Sequence, residues 1–198
     1  MSKGWHSHHV LRHIDWSLVA RSFGVFLVTA IAAIVSIGAQ KDRETGRLML
    51  PRDFPELPAG IAQDLVNRGC RIPQVKGIPE KRNVIQGQFM KPGQRDWAVL
   101  CLHGNTSAIL VYWNGYPEGM TQLAPMDETI TPSKNGYYRI LQVVGQKFIR
   151  SHYDASASDT DPLPGIVDHD GIDDGILEKG SIVHYFDSQK WLRLAGSD

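Results

Sequence analysis

The densest run of apolar positions after the first forty residues lies in Asn83–Gly115. Two apolar segments, Trp97–Leu102 and Ala108–Trp113, are separated by Gly104-Asn105, a dipeptide typical of a two-residue hairpin turn. An earlier segment ends at Pro92-Gly93, which suits a type II turn. The pattern therefore predicts three consecutive antiparallel strands.

The hairpin turn also predicts the pairing within this sheet. A two-residue loop places Trp97 opposite Tyr112 and Cys101 opposite Ala108. Residues on both faces of the hairpin are then apolar, whereas a sheet with one face in water shows alternation. We therefore expect the hairpin to be covered on both sides.

Shorter patterns predict the other elements. Ala59–Arg68 is a helix candidate, because Ile61 and Leu65 are four residues apart and Gly69 stands where a helix ends. The remaining predicted elements are a strand at Tyr137–Val144, a strand or a short helix at Gly145–Tyr153, and a capped short helix at Asp170–Lys179.

A second hairpin is predicted at the end of the chain, from Ser181–Asp187 and Lys190–Ala195 around Ser188-Gln189. Alternation assigns one of its faces to the core, namely Val183, Tyr185, Leu192 and Leu194. The other face carries the candidate binding residues His184, Phe186, Trp191 and Arg193. An aromatic pair beside a histidine and an arginine can stack a sugar or a peptide ring; alternatively, it only stabilises the hairpin.

These elements predict a β-rich α+β domain over residues 59–198, an antiparallel sheet of hairpins with one or two short helices packed on it. Residues 40–58 are charged and contain three prolines, which indicates a linker. Residues 1–39 have basic side chains before the uncharged run Phe23–Ala39, which indicates a signal peptide or a membrane anchor. Both alternatives place the domain outside the cytoplasm, either periplasmic or secreted, or held at the inner membrane by residues 23–39.

The chain has two cysteines, Cys70 and Cys101, and both follow the apolar run. In an oxidising compartment an isolated pair is most simply one disulfide. The alternative is two small buried apolar side chains. A disulfide would dock the predicted helix on the Trp97 face of the first hairpin.

Charge provides a further candidate site. The formal net charge is zero and basic and aromatic residues do not alternate in a stripe, so no nucleic-acid partner is expected. The tract Asp154–Glu178, however, contains eight carboxylates and no Lys or Arg. Carboxylates in a glycine-containing loop are ligands that calcium prefers, and the candidates here are Asp168, Asp170, Asp173 and Asp174. The alternative is a solvated turn.

Two resemblances accompany these patterns. Gly87-Gln88-Phe89 followed by Gly93–Val99 resembles one blade of the FG-GAP/VCBS repeats, over about a dozen residues. That family binds calcium through Asp or Asn in a turn where this chain has Lys91-Pro92-Gly93-Gln94. Most of the chain after the apolar run resembles uncharacterised exported bacterial proteins, a resemblance that implies export and no activity. The segments that carry it are Arg68–Cys70, Asp96–Cys101, Asp168-His169 and Glu178–Ser181.

The leading hypothesis is a non-catalytic extracytoplasmic binding or structural module for an unknown protein or saccharide ligand. The alternative is a small hydrolase or calcium-dependent enzyme that uses the acidic tract. An enzyme requires a carboxylate and a histidine, or two carboxylates, to converge in one cavity. Whether the acidic residues and His184 face a common cavity therefore distinguishes the two hypotheses.

Overall fold

The computed structural model describes residues 47–75, 77–128 and 137–197. The predicted signal or anchor segment, Phe23–Ala39, lies outside the described residues. The helices are α1 (Ala59–Asn67) and α2 (Gln146–His152), with 3-10 turns at Pro51–Asp53 and Trp113–Gly115. The strands are β1 (Leu48–Met49), β2 (Ile72–Pro73), β3 (Val84–Gly87), β4 (Asp96–His103), β5 (Thr106–Tyr112), β6 (Thr121–Asp127), β7 (Arg139–Val144), β8 (Gly171–Ile176), β9 (Gly180–Asp187) and β10 (Lys190–Ala195).

The strands form two four-stranded antiparallel sheets and one small pair. The first sheet has the order β3-β4-β5-β6, the second has the order β10-β9-β8-β7, and β1 pairs with β2. Both predicted hairpin registers are confirmed: Trp97 pairs with Tyr112, and Asp187 pairs with Lys190. The domain is therefore β-rich, with two short α-helices, as the sequence predicts.

The two large sheets pack face to face. A single apolar cluster contains Leu100 and Ile109 from the first sheet and Leu141 and Ile172 from the second, all almost completely buried. We call the two facing surfaces the inner faces. Burial of large apolar side chains between two layers is the main force that holds such a fold together.

The outer face of the first sheet is covered by helix α1. Ile61 and Leu65 of the helix are fully buried against Tyr112 and its neighbours. Cys70 and Cys101 form the predicted disulfide, with a Cα–Cα distance of 5.2 Å, so the prediction that it docks the helix on this face is confirmed. A disulfide of this kind is typical of proteins that fold in an oxidising compartment outside the cytoplasm.

Residues 47–58 belong to the folded domain, although the sequence analysis assigned 40–58 to a linker. Met49, Phe54 and Leu57 are buried in the cluster beneath helix α1. Short strand β1 pairs with β2. The composition of this segment resembles a linker because Pro51 begins a 3-10 turn, two more prolines follow, and the buried residues have no regular period. The domain therefore begins before residue 59.

The outer face of the second sheet is covered by helix α2 and the loop that follows it. Ile149 of the helix and Val167 of the loop pack on the sheet. The predicted core residues of the last hairpin are buried in this cluster, namely Val183, Tyr185, Leu192 and Leu194. The ambiguous segment Gly145–Tyr153 is thus a helix between two strands.

The predicted helix at Asp170–Lys179 is wrong, because residues Gly171–Ile176 form strand β8. This strand lies in the middle of the second sheet and pairs with β7 and β9 on its two sides. Such pairing satisfies its backbone groups on both sides, on one side through β7, which is distant in sequence, and this outweighs the local capping pattern. No helix in the described part of the chain is long and apolar enough to span a membrane.

Candidate functional site

A groove of about 750 Å³ opens between strand β6 and the inner face of the second sheet. One wall is Leu123–Met126, and the other walls come from strands β7 to β10. Three of the four predicted binding residues line it, His184, Trp191 and Arg193. The fourth, Phe186, packs against Trp191 instead. The last hairpin therefore contributes to a concave surface that the other strands complete.

The β6 wall is shaped by a β-bulge. Ser107 pairs with Met126 and Ile109 pairs with Leu123, so two residues of β6 lie opposite one residue of β5. One of them, Ala124, has a φ of 44°, a left-handed conformation that is uncommon for a residue with a side chain. Strained backbone persists only where the surrounding structure holds it in place. Bulges and strained residues of this kind are concentrated near functional sites.

Arg139 holds the bulge to the floor of the groove. Its side chain is only 3% exposed, and its Nε and Nη2 each donate a 2.7 Å hydrogen bond to the carboxylate of Asp174. Nη2 also donates to the carbonyl of Ala124 at 2.9 Å, and Nη1 donates to the hydroxyl of Ser107 at 2.9 Å. This buried guanidinium therefore joins β5, β6, β7 and β8, and its charge is balanced by one carboxylate.

His184 also contacts the carboxylate of Asp174. Its Nε2 lies 3.2 Å from Asp174 Oδ2. Burial by itself would raise the pKa of Asp174, but the hydrogen bonds from Arg139 and His184 outweigh it and lower that pKa. An ionised Asp174 accepts a hydrogen bond from Nε2–H, and in that tautomer Nδ1 is the acceptor of the ring. The described residues offer Nδ1 no hydrogen-bond partner, so it is the ring atom left for a ligand.

Trp191 is positioned by two other aromatic rings. Its ring stacks on Trp113 with the centroids 5.6 Å apart, and it meets Phe186 in an edge-to-face contact with the centroids 5.3 Å apart. The indole is half-buried, and its Nε1 is enclosed without a hydrogen-bond partner in the described part of the chain. An enclosed donor without a partner costs stability, a cost that the packing of the ring on Trp113 and Phe186 offsets.

Two of the four candidate calcium ligands lie on opposite faces of one strand. Asp173 and Asp174 are neighbours in β8, and successive side chains of a strand point in opposite directions. Asp174 reaches the groove, whereas Asp173 is buried on the outer side, opposite Val183 of β9. Burial raises the pKa of Asp173, and its Oδ1 has no hydrogen-bond partner within the described residues.

The carboxylates of the other two candidate calcium ligands, Asp168 and Asp170, have hydrogen-bond partners of their own. The Asp170 carboxylate accepts a hydrogen bond from the backbone N–H of Gln88 at 2.9 Å. The Asp168 carboxylate lies 2.7 Å from Nδ1 of His169. The four carboxylates therefore do not converge, and the described residues contain no group of three or more His, Cys, Asp or Glu side chains that is able to hold a metal ion.

The sequence alone does not predict the roles of Arg139, Trp113 and the β6 bulge. A signal for Arg139 was present, because an arginine inside the apolar strand Tyr137–Val144 requires a buried partner. The sequence does not identify that partner, since Asp174 is 35 positions away along the chain. Strand β6 itself was not predicted, because the segment that contains it reads as irregular, so its bulge was not predicted either.

No protein-family model, no curated protein and no solved structure matches this chain. The resemblances to FG-GAP/VCBS repeats and to exported bacterial proteins therefore stay predictions.

Proposed function

We propose that the domain is an extracytoplasmic, non-catalytic binding module, and that the groove beside Trp191 is its ligand site. The observation that carries the proposal is the presence of a half-buried aromatic ring, a histidine nitrogen and a charged rim in one concavity. Ligand sites typically combine an apolar surface with a few polar groups that converge on it. The groove has this composition, since Leu123, Pro125 and Met126 form its apolar wall.

The floor of the groove favours a rigid site. Arg139 and Asp174 hold each other by two hydrogen bonds and fix the strained backbone at Ala124. A site whose side chains are locked before binding loses less conformational entropy when the ligand arrives. Export of the protein, and its retention at a membrane by residues 23–39, belong to this proposal. Of the four candidate calcium ligands only Asp174 lines the groove, so the proposed site does not depend on calcium.

The proposal is tested by nuclear magnetic resonance of the full-length protein in detergent micelles. The probes are neutral oligosaccharides, acidic oligosaccharides and short peptides, added separately. We expect one class to shift the signals of the Trp191 indole, the His184 ring and the Arg193 side chain. A Trp191→Ala variant should lose the shifts. A Tyr116→Ala variant should keep them, because Tyr116 is 60% exposed and lies outside the groove. Equal binding by the Trp191→Ala variant would refute the proposal.

A second candidate function is hydrolysis, favoured by the contact between His184 and Asp174, a histidine and a carboxylate that converge in the groove as an enzyme requires. It stands second because the Asp174 carboxylate is already held by two hydrogen bonds from Arg139. A carboxylate that fixes the tautomer of a histidine leaves the other nitrogen able to accept a proton from water. The only hydroxyl among the groove residues, Ser181, is hydrogen-bonded to Ser197, so the nucleophile would be a water molecule. The water oxygen would bond to the ligand while Nδ1 takes its proton, the leaving group would depart with the electron pair of the broken bond, and the proton would then pass from Nδ1 to that leaving group.

Product analysis separates the two functions. The ligand that binds is incubated with the protein and examined by mass spectrometry. A binding module returns the ligand intact. A hydrolase produces fragments, and a His184→Gln variant then loses turnover while it still binds the ligand, because the amide cannot act as the base.

A further inference from the structure

The exposed charged residues that line the groove are basic, whereas the chain segment that builds most of the groove is acidic. Residues 151–198 contain three basic and ten acidic side chains. Two of the three basic residues, Lys179 and Arg193, line the groove, whereas Asp174 is the only one of the ten carboxylates that does so among the described residues. The groove thus concentrates positive charge within an acidic region.

The charge of Asp174 is neutralised by the buried guanidinium of Arg139, so the two outer cations dominate the groove. Both Lys179 and Arg193 are exposed, and neither side chain has an ion pair within the described part of the chain. The third basic residue, Lys190, is paired with Asp161 at 3.3 Å. The second oxygen of Asp161 binds the backbone N–H of Arg193 at 2.8 Å, so that carboxylate is also engaged.

The uncharged groups of the groove suit a ring with hydroxyl groups. Trp191 is fixed by Trp113 on one side, and indole rings pack against the C–H face of a sugar as well as against other rings. His184 Nδ1 provides an acceptor for a hydroxyl donor. Neither feature requires a charged ligand, so the preference for a charged ligand comes from Lys179 and Arg193.

We propose, on the basis of the function proposed above, that the ligand is an acidic saccharide, a sugar chain whose rings bear carboxylates. The ring packs on Trp191 while its carboxylate forms ion pairs with Arg193 and Lys179. Arginine binds a carboxylate through two parallel hydrogen bonds, and the exposed guanidinium of Arg193 is available for this geometry.

Isothermal titration calorimetry of the full-length protein in detergent micelles tests the inference. The probes are tetramers of galacturonic acid and of mannuronic acid, each compared with its own methyl ester, at about 20 mM and about 300 mM NaCl. We expect at least one acid to bind on the order of 10-fold more tightly than its ester at low salt. The difference should shrink at high salt, because exposed charges are screened.

Charge variants show whether the effect is local. Arg193→Gln and Lys179→Gln should each reduce the preference for the acid several-fold. Lys190→Gln is the matched control, because it removes the same charge from the same strand as Arg193 but lies outside the groove. An equal loss in the Lys190→Gln variant would mean a general field effect and would overturn the inference.

Two further outcomes separate this inference from the proposed function. If an ester binds as tightly as its acid, and Trp191→Ala abolishes both, the acidic-saccharide inference is wrong and the groove remains a binding site. If neither acid binds, the inference is also wrong, and the neutral sugars and peptides of the resonance experiment decide the proposed function.

Discussion

Replacement of Asp173 and Asp174 by asparagine should change the stability of the domain in opposite directions at pH 7. The two residues are adjacent in strand β8, and asparagine has nearly the same shape as aspartate. Their surroundings differ, because Asp174 binds Arg139 in the groove whereas Asp173 is buried on the outer face of the sheet. The environment, rather than the residue type, therefore decides the sign of each effect.

Asp174→Asn should destabilise the domain by about 3–5 kcal/mol, the usual cost when one partner of a buried ion pair is removed. The side chain of Arg139 is 3% exposed, so its charge cannot be solvated in place. An asparagine amide also provides one acceptor where the carboxylate accepts from both Nε and Nη2. If the side chain of Arg139 moved, the carbonyl oxygen of Ala124 would also lose its hydrogen bond.

Asp173→Asn should stabilise the domain by on the order of 1 kcal/mol at pH 7, because it replaces a buried charge by a neutral group. Asp173 is 4% exposed, and its Oδ1 lacks a hydrogen-bond partner within the described residues. The amide remains polar, so the gain is limited. Asp173→Leu is not an equivalent test, since its different shape would disturb the neighbouring Val183.

The two effects should also depend on pH in opposite ways. The pKa of Asp174 is lowered in the folded state, so its stabilisation is complete above the unfolded pKa of about 3.9 and is lost as the pH falls through the folded pKa. The pKa of Asp173 is raised in the folded state. The stability that its protonated form contributes is therefore fully present below the unfolded pKa of about 3.9 and is lost as the pH rises through the folded pKa. On acidification the gain from Asp173→Asn should therefore disappear before the loss from Asp174→Asn does.

Urea unfolding followed by circular dichroism, at about pH 7, 5 and 3, measures the free energy of unfolding of both variants and the parent protein. The reasoning would be refuted if both variants were destabilised equally at pH 7, because that would place the two carboxylates in similar surroundings. It would also be refuted if the difference between Asp174→Asn and the parent persisted unchanged at pH 3.

Three other predictions follow from the packing. Replacement of Cys70 and Cys101 by alanine should cost about 3.7 kcal/mol in the chain-entropy model for a sequence separation of 31, and urea unfolding of that variant should be insensitive to reductant. Leu192→Ala should cost about 2–5 kcal/mol as a core truncation, and half-buried Trp191→Ala clearly less; a larger loss for Trp191 would make packing its main role. Gly69→Ala should lower the melting temperature by several degrees, because Gly69 has a φ of 66° and an added Cβ would lie 3.3 Å from the nearest side-chain atom; an unchanged melting temperature would contradict this.

The registers of the two hairpins were determined by the sequence alone, for a local reason. A two-residue loop fixes the first pair across the turn, and the two-residue period of a strand fixes the rest. Gly104 has a φ of 58°, and Ser188 and Gln189 are both left-handed, as tight hairpin turns require. The disulfide was equally predictable, because the chain has two cysteines to pair. Each of these predictions needed only neighbouring residues or a single possible partner.

The groove was decided by the tertiary structure. Strand β8 looked like a capped helix, because the capping pattern of Asp170 and Asp173 is local, whereas the partner strand β7 is separated from β8 by helix α2 and a long loop. The contact of Arg139 with Asp174 spans 35 residues, and only the pairing of β7 with β8 brings the two together. Long-range pairs of this kind leave no period or spacing in the sequence. The sequence could therefore place His184 and Trp191 on one face of a hairpin, but only the packing of two sheets made that face the wall of a groove.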